Sequence, residues 1–135
     1  PAQPTSPNQT SSAAGSRATR LPKLELFMRT ALAGYLAAVY ENVYLDLSYG
    51  IPLLGYGEML SFTRQALGVA PSSKLMYSSD GIGVPELHWI SAIDGRRAIG
   101  EALGELVSQG ELDLVVAEAT GEDVLCANAT RLYRL

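Results

Sequence analysis

The sequence predicts an α/β fold built around a pair of parallel strands, and three observations carry that reading. The run 43–48 is β-branched, aromatic and almost continuously apolar, as expected of a strand covered on both faces. A second apolar run at 75–77 is cut off by Ser78, Ser79, Asp80 and Gly81, which read as the end of a strand spanning 74–78. Between them, residues 57–67 carry Met59, Leu60, Phe62 and Leu67 at helical spacing. A strand–helix–strand crossover of this length makes its two strands parallel, and its hand is almost always right.

The other elements follow in order. Residues 1–20 are rich in Pro, Ser, Gln and Asn and hold almost no large apolar side chain. They cannot offset the entropy of ordering and read as a disordered tail. Their lack of acids, with Ser, Thr, Ala and Arg, also resembles an organelle transit peptide, a weaker alternative. Order is expected from Leu21, with an amphipathic helix over 24–40 whose stripe is Leu24, Phe27, Met28, Ala31, Leu32, Tyr35, Leu36 and Val39. Pro52 and Gly55 mark a loop, and 70–73 a turn. A long helix over 86–108 is expected to bury Leu87, Ile90, Ile93, Ile99, Leu103, Leu106 and Val107, and Gly110 stops it. A last helix spans 112–128, with Leu132, Tyr133 and Leu135 as a terminal anchor.

At 135 residues and 47% hydrophobic content, the chain has room for one domain with a real core. A net charge of −4 with scattered Lys and Arg excludes a nucleic-acid partner or an anionic membrane surface. No apolar run approaches the roughly 20 residues that span a bilayer. The single cysteine, Cys126, rules out an internal disulfide and fits a reducing, cytoplasmic setting. Its apolar neighbours predict a small core residue.

The residue that carries chemistry is Asp80. It follows the carboxyl end of the second strand, where ligands bind in parallel α/β folds, and is expected to project from that rim toward a cavity where a cation could lodge. Read on sequence alone, it could equally cap the next helix or bond loop amides. His88, the single histidine, sits two residues from Glu86, a spacing that does not bring side chains together on a helix, so it reads as a helix-surface residue beside Trp89. Ser78 and Ser79 have no histidine base near them in sequence. Asp46, inside a strand, needs a partner such as Ser48, Tyr44 or a loop amide. Gly81 and Gly83 without a third glycine are too common a pattern to mark a phosphate loop. Arg96 and Arg97 read as solvated charge, Arg97 pairing weakly with Glu101.

Four phrases occur in consistent order: 42–48 (NVYLDLS), 74–81 (KLMYSSDG), 85–87 (PEL) and 128–133 (NATRLY). Together they resemble the carboxyl-terminal part of the metal-dependent amidohydrolase superfamily, over about residues 35–135. The branch is the amidohydrolase-related one that includes decarboxylases and the amidohydrolase-like proteins linked to glutamine synthetase domains. The resemblance implies a partial (β/α)8 barrel whose last two strands are 43–48 and 74–78, with surrounding helices and a helical carboxyl terminus. It implies that Asp80 is the catalytic and metal-site aspartate after the last strand, beside a divalent cation, commonly zinc. The activity implied is metal-assisted attack of water on a C–N or related bond of a small molecule, or decarboxylation of a small carboxylic acid.

Family members also carry a His-x-His pair and further ligands on earlier strands, and none of these occurs here. A zinc site takes three protein ligands and such a barrel about 250 residues. The expectation is therefore a portion of a larger protein, its missing ligands supplied elsewhere. The alternative is a non-catalytic half-barrel acting as an interaction module, forming homo-oligomers through exposed strand edges.

Overall fold

The computed structural model describes residues 20–48 and 54–135; the expected tail at 1–20 lies outside them except for Arg20, which begins the first helix, and Pro52 of the expected loop also lies outside. The elements are α1 (Arg20–Val39), β1 (Leu45–Asp46), α2 (Tyr56–Val69), β2 (Leu75–Met76), α3 (Pro85–Ser108), α4 (Leu114–Glu122) and α5 (Asn128–Tyr133). A 3-10 turn, Ser72–Lys74, leads into β2, and a π-helical turn, Asp123–Ala127, joins α4 to α5.

The expected crossover forms: β1 and β2 are parallel, with Leu45 opposite Leu75 and Asp46 opposite Met76, and α2 lies between them in sequence. The partial barrel does not. The described chain is a mostly helical small domain with one two-stranded sheet whose strands are two residues long. The reason lies in backbone pairing. Each strand has a single neighbour, so residues flanking the short ladder bond elsewhere. The Lys74 amide donates to Pro71 in the 3-10 turn (2.9 Å), and the Tyr77 amide donates to the Val124 carbonyl (3.0 Å). Only Leu47 extends the sheet, its amide donating to the Met76 carbonyl at 2.7 Å.

The π turn makes the contact with Val124 available, because a wider turn releases carbonyls from the regular helical ladder. Beside it, Asn128 is only 2% exposed. Its side-chain amide donates to the carbonyls of Ser72 (2.8 Å) and Leu75 (2.7 Å). The Asn128 carbonyl oxygen accepts from Arg131, which also pairs with Asp123 at 2.9 Å. The carboxyl-terminal helix is thus tied to the strand by polar bonds as well as by Val124, which is buried in the same core as Leu75, Leu47 and Ile99.

Small residues bring the helices together. Gly34 of α1 lies so near α2 that an added Cβ would stand 3.1 Å from Val69. The buried face of α3 is Ser91, Gly95, Ala98, Ile99, Ala102 and Leu103, while Ile90 and Ile93 are exposed, contrary to the stripe expected from periodicity. On α1, Ala37 and Thr30 are buried, whereas Leu32, Tyr35 and Val39 are more than half exposed. Both corrections have one cause: close helix contacts select small side chains, so the bulky ones fall to the sides. Cys126 is exposed, not in the core, because Val124 and Asn128 occupy the inward positions on either side of it.

Between α2 and α3 runs a polar seam. Arg64 forms a two-pronged pair with Glu105, which raises its pKa further above the ordinary arginine value. The Tyr56 hydroxyl donates to Glu101 at 2.7 Å, and the Arg97 guanidinium stacks over the Tyr56 ring. Burial, and then the bond to Glu101, push the Tyr56 phenol above its usual pKa. Arg97 and Glu101 therefore meet through Tyr56, where a weak helix-surface pair was expected.

Replacing Asn128 with Ala leaves two strand-side carbonyls without their donor and should cost about 2–4 kcal/mol of stability. Ser91→Ala should behave oppositely. The Ser91 hydroxyl is buried with no partner among the described residues, so its removal should be neutral or stabilise by up to about 1 kcal/mol. Urea denaturation of the two variants checks both.

Candidate functional site

The segment from the end of β2 to the first turn of α3 positions the candidate functional side chains. Its lower anchor is Tyr77, one residue past β2. The Tyr77 hydroxyl donates to the Ser91 carbonyl at 2.6 Å, and the hydroxyl end of its ring lies against Gly95, where any Cβ would collide with it. The strand end and the helix thereby become one unit. Pro85 occupies the first position of α3, where a missing amide hydrogen costs nothing, and Val84 caps it without a side-chain bond.

Between these anchors the chain turns through 80–83. Asp80 (φ 47°), Ile82 (φ 30°) and Gly83 (φ 75°) all lie at positive φ. That conformation is ordinary for glycine, tolerated by Asp, and unfavourable for a β-branched residue such as Ile82. The turn is closed by the Val84 amide donating to Gly81 (3.0 Å) and the Leu87 amide donating to Val84 (3.1 Å). Gly81 is buried, and a Cβ there would stand 2.6 Å from the His88 ring.

Asp80 is exposed and makes no hydrogen bond or ion pair among the described residues. α3 has no side-chain cap bond, so Asp80 does not serve as its cap. The same segment contains a contact that sequence reading missed: Ser79 Oγ lies 2.5 Å from His88 Nδ1. The loop folds back on α3, so nine positions of separation become direct contact. The signal available in the sequence was Gly81, the small residue that lets an imidazole lie against the turn. Glu86 and His88 join no group of three metal-ligating residues among those described. Asp46 is exposed and accepts from the Ser48 amide at 2.8 Å, one of the partners expected for it.

A recess lies elsewhere. A cavity of about 240 Å³ between α3 and α4 is lined chiefly by Ile99, Leu103, Val107 and Leu114, with Arg96 and Glu118 among its polar residues. It shares no residue with the 77–84 segment, and it is smaller than the roughly 300–1,000 Å³ usual for ligand pockets. The turn carrying Ser79 and Asp80, with His88 of α3 against it, is the better candidate, since it joins polar groups to an unfavourable backbone, a combination that clusters at functional sites.

Over 106 residues, 78% of this chain, the sequence is 37% identical to Protein fluG of Emericella nidulans. The matched stretch is 12% of that protein's length, so the chain spans only a small part of the curated relative it matches. No family model matches the sequence, and no solved structure does so either.

The described residues do not complete a zinc site. Three protein ligands are needed, no such group occurs among the described residues, and Asp80 offers one carboxylate.

The contact between Tyr77 and Gly95 fixes the geometry of the whole turn. Gly95→Ala should force the ring out and destabilise by about 1–3 kcal/mol. Thermal unfolding measures the loss, and Tyr77→Leu combined with Gly95→Ala should recover part of it.

Proposed function

We propose that this chain supplies one rim of a hydrolytic site acting on a C–N or related bond of a small molecule, with Asp80 as its working carboxylate. The observation that carries the reading is the placement of Asp80 on an exposed turn just beyond the carboxyl end of a parallel strand, with no partner among the described residues. A carboxylate so placed can take the proton of an attacking water and orient that water toward a carbonyl carbon. A divalent cation, zinc in the simplest case, would when bound acidify that water. Its other ligands would come from polypeptide outside the described residues. The resemblance to metal-dependent amidohydrolases over 35–135 supports this assignment, and a single exposed thiol suits a cytoplasmic setting. No described helix is long and apolar enough to cross a membrane.

Calorimetric titration with Zn²⁺ of the chain together with the polypeptide that supplies the other ligands tests the role of Asp80. Asp80→Asn should weaken binding about tenfold, equivalent to ~1.4 kcal/mol, with an unchanged circular dichroism spectrum. Equal affinity of the two proteins would refute the assignment.

A second reading, a non-catalytic assembly module, is favoured by α1. Leu32 (60% exposed), Tyr35 (58%) and Val39 (54%) place bulky apolar groups in water, and one helix face of this kind invites a second copy of the chain. On that reading light scattering shows a dimer that Leu32→Glu with Val39→Glu converts to monomer. A monomeric parent protein would exclude it.

A further inference from the structure

We infer that His88 is a positioning residue that sets the direction of Asp80, an inference that rests on the reading of Asp80 as the working carboxylate. The imidazole touches both chain neighbours of Asp80 and leaves Asp80 itself free. On one side Ser79 Oγ lies 2.5 Å from Nδ1. The Ser79 hydroxyl donates that bond when the ring carries its proton on Nε2. On the other side the ring packs over Gly81 so closely that a Cβ would lie 2.6 Å from Cγ and Nδ1 and 2.7 Å from Cε1. Residues 79 and 81 are thus held by one rigid ring, and the residue between them is the one turned to φ 47°.

The ring is itself held from behind. The His88 amide donates to the Val84 carbonyl (3.4 Å), and the Val84 amide donates to Gly81 (3.0 Å). The helix that carries His88 is fixed to the strand end by Tyr77 through Ser91 and Gly95. Strand end, helix and turn form a closed circuit from which Asp80 is exposed. A surface hydrogen bond of no consequence would not require a buried glycine under the ring, nor would it bracket a single carboxylate. A left-handed aspartate normally gains from local bonds to its own backbone. Asp80 makes none among the described residues, so the ring replaces them.

The test uses His88→Ala, Gly81→Ala and His88→Asn, the last keeping a polar atom near the position of Nδ1. Without metal, the intraresidue amide-to-Hα nuclear Overhauser effect of Asp80 reports its left-handed backbone. His88→Ala and Gly81→Ala should lose that signature, while His88→Asn should retain it. In the same Zn²⁺ titrations, with the other ligands supplied, His88→Ala should lose about tenfold in affinity, the scale of a lost supporting contact at a metal site, and His88→Asn should stay within about twofold of the parent. A left-handed Asp80 persisting in His88→Ala would overturn the inference, as would loss of that conformation with Zn²⁺ affinity unchanged. If the parent and Asp80→Asn bind Zn²⁺ equally, the hydrolytic reading fails, and the Overhauser measurement still decides whether His88 holds the turn.

Discussion

Everything around the strand end of this molecule depends on how the carboxyl-terminal helix grips a strand only two residues long. Asn128 is the centre of that grip. Its amide spans the carbonyls of Ser72 and Leu75, one in the 3-10 turn and one in β2, so it fixes both the approach to the strand and the strand itself. Four residues earlier, Val124 accepts the Tyr77 amide and so takes the place of a neighbouring strand. A two-residue parallel ladder has little stability of its own. Here a helix completes its hydrogen bonding, and the residue past the ladder, Tyr77, is directed into α3.

From that grip the constraint passes outward. Tyr77 meets Ser91 and Gly95, α3 is set at a fixed angle to the strand end, and the turn carrying Asp80 has both of its ends anchored to the same unit. The apolar core (Leu47, Leu75, Ile99, Leu103, Val124) lies beneath this construction and supplies burial without specifying the turn. Specification comes from polar bonds and close glycine contacts, which are short-ranged and tolerate little displacement.

Much of the helical content was legible in the sequence, because three-and-four spacing, Pro85 and Gly110 are local signals: the expected helices 57–67 and 86–108 correspond to α2 and α3 with ends shifted by a residue or two. The strand pair was legible as well, since continuous apolar runs around a helix imply parallel pairing. The extent of the sheet was not. Strand length depends on how many neighbours supply ladder partners, and that is a property of the assembled molecule rather than of the runs 43–48 and 74–78. Periodicity misjudged the inward face of α3 for a related reason. It ranks residues by hydrophobicity, while close helix contact selects Gly95, Ala98 and Ala102 over Ile90 and Ile93. At the site, Asp80 stood out from its position after a strand. The meeting of His88 with Ser79 could not, because it is created by a turn whose positive φ angles no spacing rule encodes.

The π turn at Asp123–Ala127 has a consequence for which length changes the chain can accept. It winds one residue more per turn than an α-helix, and that surplus residue brings Val124 and Asn128 to the strand together. Deleting one residue there would let the helix close to ordinary pitch with the phase beyond it nearly kept, because a π turn is a regular helix carrying one inserted residue. The same loss within α3, where no surplus residue stands, would rotate the rest of that helix by roughly 100°. Tolerance of single-residue gaps is thus concentrated at this turn.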